Sequence, residues 1–208
     1  MVPGPAISLR AYQRITRYLN FLNQAEGGDK HISATRIAHA LKINDVVVRK
    51  DLAAVSGNGK TKVGYARTEL TRDIERFLGY DRPADSALAG VGRLGQALLS
   101  YENFKKYGLN ITAAFDTAPE LVGREINGVK ILDASKITDL CRRLHIKIGI
   151  IAVPASAAQA AANALVEGGA RAIWNFAPRE LSLPEGVSVK HEDMAASLAV
   201  LTKQLERF

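Results

Sequence analysis

The chain has 208 residues, 47% of them hydrophobic, with 28 Lys and Arg against 21 Asp and Glu for a formal charge of +7. A single cysteine, Cys141, excludes an intramolecular disulfide and a cysteine-built metal cluster. No apolar run reaches the ~18–20 residues that span a bilayer, and no basic segment followed by a long apolar one opens the chain, so a cytoplasmic protein with neither membrane nor metal partner is expected.

The charge divides the chain. Residues 1–84 hold 14 basic against 8 acidic side chains and residues 85–208 hold 14 against 13, which joins a polyanion-binding module to a near-neutral one. Nucleic acid is the expected partner of the first part. The expected divisions are a DNA-binding domain over 1–80, a linker over 81–84, a nucleotide-binding domain over 85–192 and a terminal helix over 193–208.

Ile15, Tyr18, Leu19 and Leu22 follow the i, i+3, i+4, i+7 pattern, predicting an amphipathic helix within Ile7–Leu22 that Gly27-Gly28-Asp29 breaks. Ser33 is an N-cap for a helix over Ala34–Leu41, Lys42-Ile43 turns the chain, and Asn44 caps a second helix over Asp45–Ser56. Two short capped helices so spaced read as a helix-turn-helix, whose second helix enters the major groove. Val46, Val47, Arg49 and Lys50 then face DNA, with Arg49 able to fork onto a guanine and the valines able to meet thymine methyls. Gly57–Tyr65 is a Gly-rich basic hairpin in the place of a wing, where Lys60 and Lys62 would meet phosphates or the minor groove. A solvated charged face is the ordinary alternative for Arg49-Lys50. Thr68 and Thr71 are candidate caps of a further helix ending near Leu78-Gly79.

The near-neutral part opens on an apolar run, Ala87-Leu88-Ala89, followed by Gly90-Val-Gly-Arg-Leu-Gly95 and a helical stretch. In that strand–turn–helix context G-x-G-x-x-G cradles a pyrophosphate: Gly90 makes the turn, Gly92 admits the phosphates, Gly95 lets helix and strand close, and the Arg93-Leu94 backbone opens the helix. Asp116 ends the apolar strand Ile111–Phe115, 21 residues after Gly95, near the ~20 expected of a carboxylate that accepts from the adenosine ribose. An acid there repels a 2′-phosphate, so NADH or NAD is expected over the phosphorylated cofactor. Val129–Leu132 and Lys147–Val153 are further apolar strands, Ser135 is a candidate cap of a helix to Leu144, and Pro154 leads into an Ala-rich helix over Ala155–Glu167. Ala172–Trp174 begins another strand. Val153-Pro154 and Asn175-Phe176 thus fall at the carboxyl edge, toward the nicotinamide end, with a plain turn over Asn175–Pro178 as the alternative. Cys141 is followed by Arg142 and Arg143, which would lower a thiol pKa, or it is buried and inert.

Met194, Leu198, Leu201 and Leu205 form a narrow helical seam, which either covers its own domain or pairs with another subunit. The expected class is therefore α/β: an N-terminal winged-helix domain, a Rossmann-like doubly wound parallel sheet, and a C-terminal helix. No catalytic constellation is legible. His31, His39, His145 and His191 are isolated and none adjoins the Gly-rich loop, so the chain is not expected to be an enzyme.

Taken together, Val48-Arg-Lys-Asp-Leu52, Val63-Gly-Tyr65, Gly90–Gly95 with Ala97-Leu98 and Tyr101, Phe115-Asp116 with Pro119 and Val122-Gly123, Ala152–Ala155 and Asn175–Pro178 resemble the Rex family of bacterial redox-sensing transcriptional repressors, from about Val2 to the end. The resemblance implies a homodimer that binds an inverted-repeat operator when NADH is scarce and releases it when NADH binds, with the C-terminal helix swapped between subunits. It also implies a switch in which Asp193 pairs alternately with Arg17 and with the Tyr101 hydroxyl, Tyr101 lying near the cofactor; a capping Asp193 and a solvated Arg17 are the plain alternative. The sequence departs from the family at Val47, commonly Gln, at Thr61-Lys62, commonly a basic residue then Gly, and in His191-Glu-Asp-Met194, which matches only through Asp193. Two rival readings remain: a small NAD-dependent oxidoreductase fused to a nucleic-acid module, and a regulator responding to coenzyme A, against which Asp116 argues.

Overall fold

Ile15, Tyr18, Leu19 and Leu22 are buried along one side of α1 (Leu9–Gln24), the first element of a computed structural model that describes residues 7–24, 30–60 and 63–205. The chain divides into two compact units, Met1–Arg82 and Pro83–Phe208. In the first, β1 (His31–Ile32) leads to α2 (Ala34–Leu41), where Ser33 accepts from the Arg36 amide at 3.1 Å. Lys42, in the left-handed region, ends that helix, and Asn44 caps α3 (Asp45–Val55) by accepting from the Val46 amide at 2.9 Å. β2 (Tyr65–Ala66) pairs antiparallel with β1, and Lys60 and Gly64 exchange two backbone hydrogen bonds at 2.9 Å, closing the hairpin ahead of it. Lys62, with Thr61, lies outside the described residues.

The fourth helix of the core, α4, spans Arg67–Leu78. Its N-cap is Ala66, with no side-chain cap, and Thr68 and Thr71 lie inside the helix, contrary to the expectation that one of them caps it. The β1–β2 pairing ends at Ala66, so the helix starts ahead of either threonine. Leu70 and Ile74 of α4 close over Ile15, Ile37, Val48 and Leu52, so the apolar stripes of four helices share one core.

The second unit is a seven-stranded sheet of β3 (Ala84–Ala89), β4 (Leu109–Asp116), β5 (Glu125–Ile126), β6 (Val129–Asp133), β7 (Ile148–Ile151), β8 (Ala172–Asn175) and β9 (Ser188–His191). Their order is β5-β6-β4-β3-β7-β8-β9, all parallel except β5, which runs antiparallel to β6. The six parallel strands, counted in chain order, lie 3-2-1-4-5-6 across the sheet, the Rossmann arrangement with its switch point between β3 and β7. Helices α5 (Arg93–Leu99), α6 (Ile137–Arg143) and α7 (Ala155–Glu167) cover the faces. Alternation along the strands decides which face each residue serves. Leu88, Ala114 and Ile150 meet Leu98 and Leu99, while Ala87, Ala89, Phe115 and Ile151 meet Ile137, Cys141, Ala158, Ala162 and Leu165.

One local expectation changes, and two elements appear that the sequence reading did not assign. The cap ahead of α6 is Asp133, whose Oδ1 accepts from the Ser135 amide at 2.9 Å, and Ser135 itself sits in a short 3-10 turn. The β4–β6 connection, to which the sequence reading assigned no element, carries the β5–β6 hairpin, turned by Asn127 and Gly128, both at positive φ (48° and 79°). The edge strand β9 was not expected at all. A last helix, α8 (Met194–Leu205), ends the described chain.

Candidate cofactor cleft and DNA interface

The Gly-rich loop sits at the sheet's switch point, between the ends of β3 and β7. Gly90 has φ +94°, and a Cβ there would lie 2.6 Å from the Ala152 carbonyl oxygen, so the turn admits no other residue. At Gly95 a Cβ would come within 2.1 Å of the Gly90 carbonyl oxygen, so α5 packs on the loop only through glycine. Gly92 differs. A Cβ there meets nothing within 4 Å, and Gly92 is the N-cap of α5 with no side-chain partner for the helix amides. Space and unsatisfied donors coincide at that point, which suits a phosphate group.

Asp116, at the end of β4, closes the loop from the neighbouring strand. Its Oδ2 accepts from the Val91 amide at 2.6 Å and its Oδ1 from the Ala118 amide at 2.9 Å. Each carboxylate oxygen keeps a further lone pair for a hydroxyl donor. Asp116 is therefore both an anchor of the Gly-rich loop and an acceptor, where sequence reasoning saw only the acceptor. Gly90, Gly92, Asp116, Val153 and Pro154 line one cleft of about 380 Å³, walled by Ile137 and by alanines of α7.

The remaining expected residues are placed elsewhere. Arg93 is exposed at the first turn of α5, and Leu94 packs half-buried on the Leu88 side of the sheet. Asn175 is fully buried, and its amide folds its own loop. It donates to the Ala177 and Arg179 carbonyls at 3.1 and 2.8 Å, accepts from the Ala177 amide at 3.0 Å, and lies 3.0 Å from His191 Nδ1. Asn175 thus shapes the carboxyl-edge loop rather than presenting a polar group to a ligand. Phe176 packs 4.8 Å from Trp174, Trp174 lies 5.6 Å from Phe104, and Phe104 is 4.8 Å from Tyr101. This aromatic row links Tyr101, which does not line the cofactor cleft, to the Asn175–Pro178 loop. Sequence reasoning missed it, the lone tryptophan being its one available signal.

Trp174 Nε1 donates to Glu192 at 2.9 Å, beside Asp193. Asp193 is exposed and caps α8, its Oδ1 accepting from the Ala196 amide at 2.8 Å. Cys141 is fully buried, and burial pushes its thiol up to about 11, although Arg142 and Arg143 follow it directly in the chain. Among the described residues no group of three His, Cys, Asp or Glu side chains is arranged to hold a metal ion.

In the N-terminal unit, Val46, Arg49 and Lys50 are exposed on α3 and Val47 is half-buried. Arg49 and Lys60 line a cleft of about 530 Å³ together with Ser33 and Thr35 at the start of α2. Asp51, in the same Arg-Lys-Asp run, faces inward. It receives Arg14 Nε at 2.7 Å, Arg14 Nη2 at 2.9 Å and the Tyr18 hydroxyl at 2.8 Å, which pins α3 on α1. Arg17 donates to the Leu41 carbonyl at 3.2 Å and so ties α1 to the end of α2.

The chain is similar to the redox-sensing transcriptional repressor Rex of Porphyromonas gingivalis, at 38% identity over 99% of this chain and 92% of that protein. The repressor of the same name from Treponema denticola is 37% identical over 91% of this chain and 90% of its own. A protein-family model described as a CoA binding domain matches residues 81–179, and one described as a putative DNA-binding protein N-terminus matches residues 6–53. Among solved structures, RSP in complex with β-NAD+ and operator DNA matches with a TM-score of 0.90 at 32% identity, over 97% of this chain and 93% of that one. The complex of RSP with β-NADH gives a TM-score of 0.87 over 97% and 95%.

Proposed function

The chain belongs to the Rex family of redox-sensing transcriptional repressors, and from that premise we propose that NADH binds at its Gly90–Gly95 loop and releases its N-terminal unit from operator DNA. The observation that carries this reading is the coincidence, at one sheet switch point, of the open space at Gly92 with an Asp116 carboxylate that still has lone pairs to offer. The Gly90–Gly95 backbone with Arg93 and Leu94 would hold the pyrophosphate, and Asp116 the adenosine ribose. Val153, Pro154 and Phe176 would meet the nicotinamide end. The bound group supplies a charge difference, since oxidised nicotinamide is a cation and reduced nicotinamide is neutral.

On the DNA side α3 lies in the major groove, with Val46, Val47, Arg49 and Lys50 toward base edges and Lys60 and Lys62 on the backbone. The functional unit is a homodimer on an inverted repeat, built through α8, which exposes Leu198, Val200, Leu201 and Leu205. The switch assigned to Arg17, Tyr101 and Asp193 acts between these states. The chain works as a cytoplasmic regulator and catalyses no reaction.

Calorimetric titration with NADH, NAD+, NADPH and coenzyme A, beside mobility shifts of genomic duplex fragments with and without NADH, tests the whole reading. Tightest binding of NADH with NADH-dependent release of a fragment is expected. Binding of coenzyme A above NADH would favour the second reading, to which the match over residues 81–179 points.

A further inference from the structure

The helix assigned to the DNA groove begins with a carboxylate, an unexpected group on a surface that meets a polyanion. Asp45 is the first residue of α3. Its Oδ2 lies 2.5 Å from Arg49 Nη2, one turn further along. Its Oδ1 accepts from the Thr35 hydroxyl on α2 at 3.2 Å, and Thr35 Oγ1 in turn lies 3.5 Å from Arg49 Nη2. Asp45, Arg49 and Thr35 therefore form a closed triangle across the two helices, on the rim of the cleft that Lys60 also lines.

An arginine on a recognition helix has two uses. It can fork onto a guanine edge, which requires the right base, or swing onto a phosphate, which any duplex offers. The second use raises affinity for every sequence and erodes selectivity. A carboxylate that holds Nη2 restrains the swing and cancels the long-range pull on phosphates, while Nε and Nη1 stay available as donors.

We propose that Asp45 is a specificity-determining positioning residue of the DNA interface, which tethers Arg49 to α2 so that its guanidinium reads a base edge instead of joining the phosphate contacts. The inference rests on the reading of α3 as the groove element. An acid at the first helical position also complements the helix dipole, but that role touches stability alone and leaves sequence preference unmoved.

The test compares a duplex selected from a randomised pool by the parent protein with a scrambled duplex of the same composition, across a salt series. In Asp45→Asn, affinity for the scrambled duplex rises about fivefold near 0.1 M salt and the slope of log K against log salt steepens by about one, because Arg49 gains a phosphate. Preference for the selected duplex narrows by about the same fivefold factor, and Asp45→Glu restores it. In an Arg49→Ala background, Asp45→Asn leaves the preference unchanged. Asp45→Ser serves as a second neutral variant should the asparagine melt early. Equal loss of preference with and without Arg49 would reduce the carboxylate to a bare repulsive charge and overturn the proposal, as would an unaltered preference in Asp45→Asn. A parent that does not distinguish selected from scrambled duplex overturns the groove reading of α3, and this inference with it.

Discussion

Asp51 and Asp116 both sit in motifs that the sequence displays openly, and both have a second role that only three-dimensional packing reveals. For Asp116 the ribose role was legible from spacing, whereas its bond to the Val91 amide depends on β4 ending beside β3, which no local pattern encodes. Asp116→Ala should therefore weaken NADH by ~1.5–3 kcal/mol, the worth of a hydrogen bond to a charged group. It should weaken coenzyme A to a lesser degree through the loosened loop, and narrow the preference for NADH over NADPH, all measurable by calorimetry. Asp51 reads in sequence as one more charge on a charged helix, yet it is almost fully buried and takes three side-chain hydrogen bonds. Burial, then the bond to Asp51, pushes the Tyr18 hydroxyl up to about 12 from 10.0. A proton held more tightly in the folded state contributes stability below pH 10 that is lost as pH rises toward about 12. Alkaline melting of the N-terminal unit is expected in that window, and Tyr18→Phe should remove Tyr18's share of it. Asp51→Ala should destabilise that unit by about 3 kcal/mol, seen in denaturant melts, since Arg14 and Tyr18 lose their shared acceptor.

At the scale of elements, signals that are purely local were readable: the caps Ser33 and Asn44, the buried strands and the Ala-rich α7 all follow from periodicity and turn chemistry. The β9 strand was not, because Ser188–His191 is an edge strand with three exposed residues and no apolar alternation. The Asn127-Gly128 turn carries a common two-residue hairpin signal, but β5, with only two residues, is too short to show an alternation of its own. Helix α8 presents Leu198, Val200, Leu201 and Leu205 at 63%, 59%, 59% and 72% exposure. None of these four joins the core of its own unit among the described residues. Burying each leucine against a partner is worth ~1.5–3 kcal/mol, enough in sum to hold a dimer. Leu198→Glu with Leu201→Glu should give a monomer by light scattering whose sheet still melts as in the parent, and which binds an inverted repeat no better than a single half-site. A dimer that survives both substitutions places the interface elsewhere.

For the whole molecule, the question is how a change of one charge at the cofactor reaches DNA, and a ligand shifts such an equilibrium only through a difference in its contacts with the two states. The aromatic row from Phe176 through Trp174 and Phe104 to Tyr101 gives a contiguous packed path within the C-terminal unit, and the Trp174–Glu192 bond carries it to the residue beside Asp193. The Asp193 carboxylate meanwhile caps α8, so substitution by alanine would mix two effects: a lost cap, worth about 1 kcal/mol of helix stability, and a lost charge. Serine separates them, because it caps as well as aspartate and carries no charge. Asp193→Ser and Tyr101→Phe are expected to keep the dimer and to bind NADH within about tenfold of the parent, while the coupling between NADH and operator falls by ~1–3 kcal/mol. The measurement is a mobility shift over an NADH titration, with dimer mass checked by light scattering. If Asp193→Ser still releases operator at the parent's NADH concentration, Asp193 is a helix cap and nothing more, and the switch assigned to it is wrong.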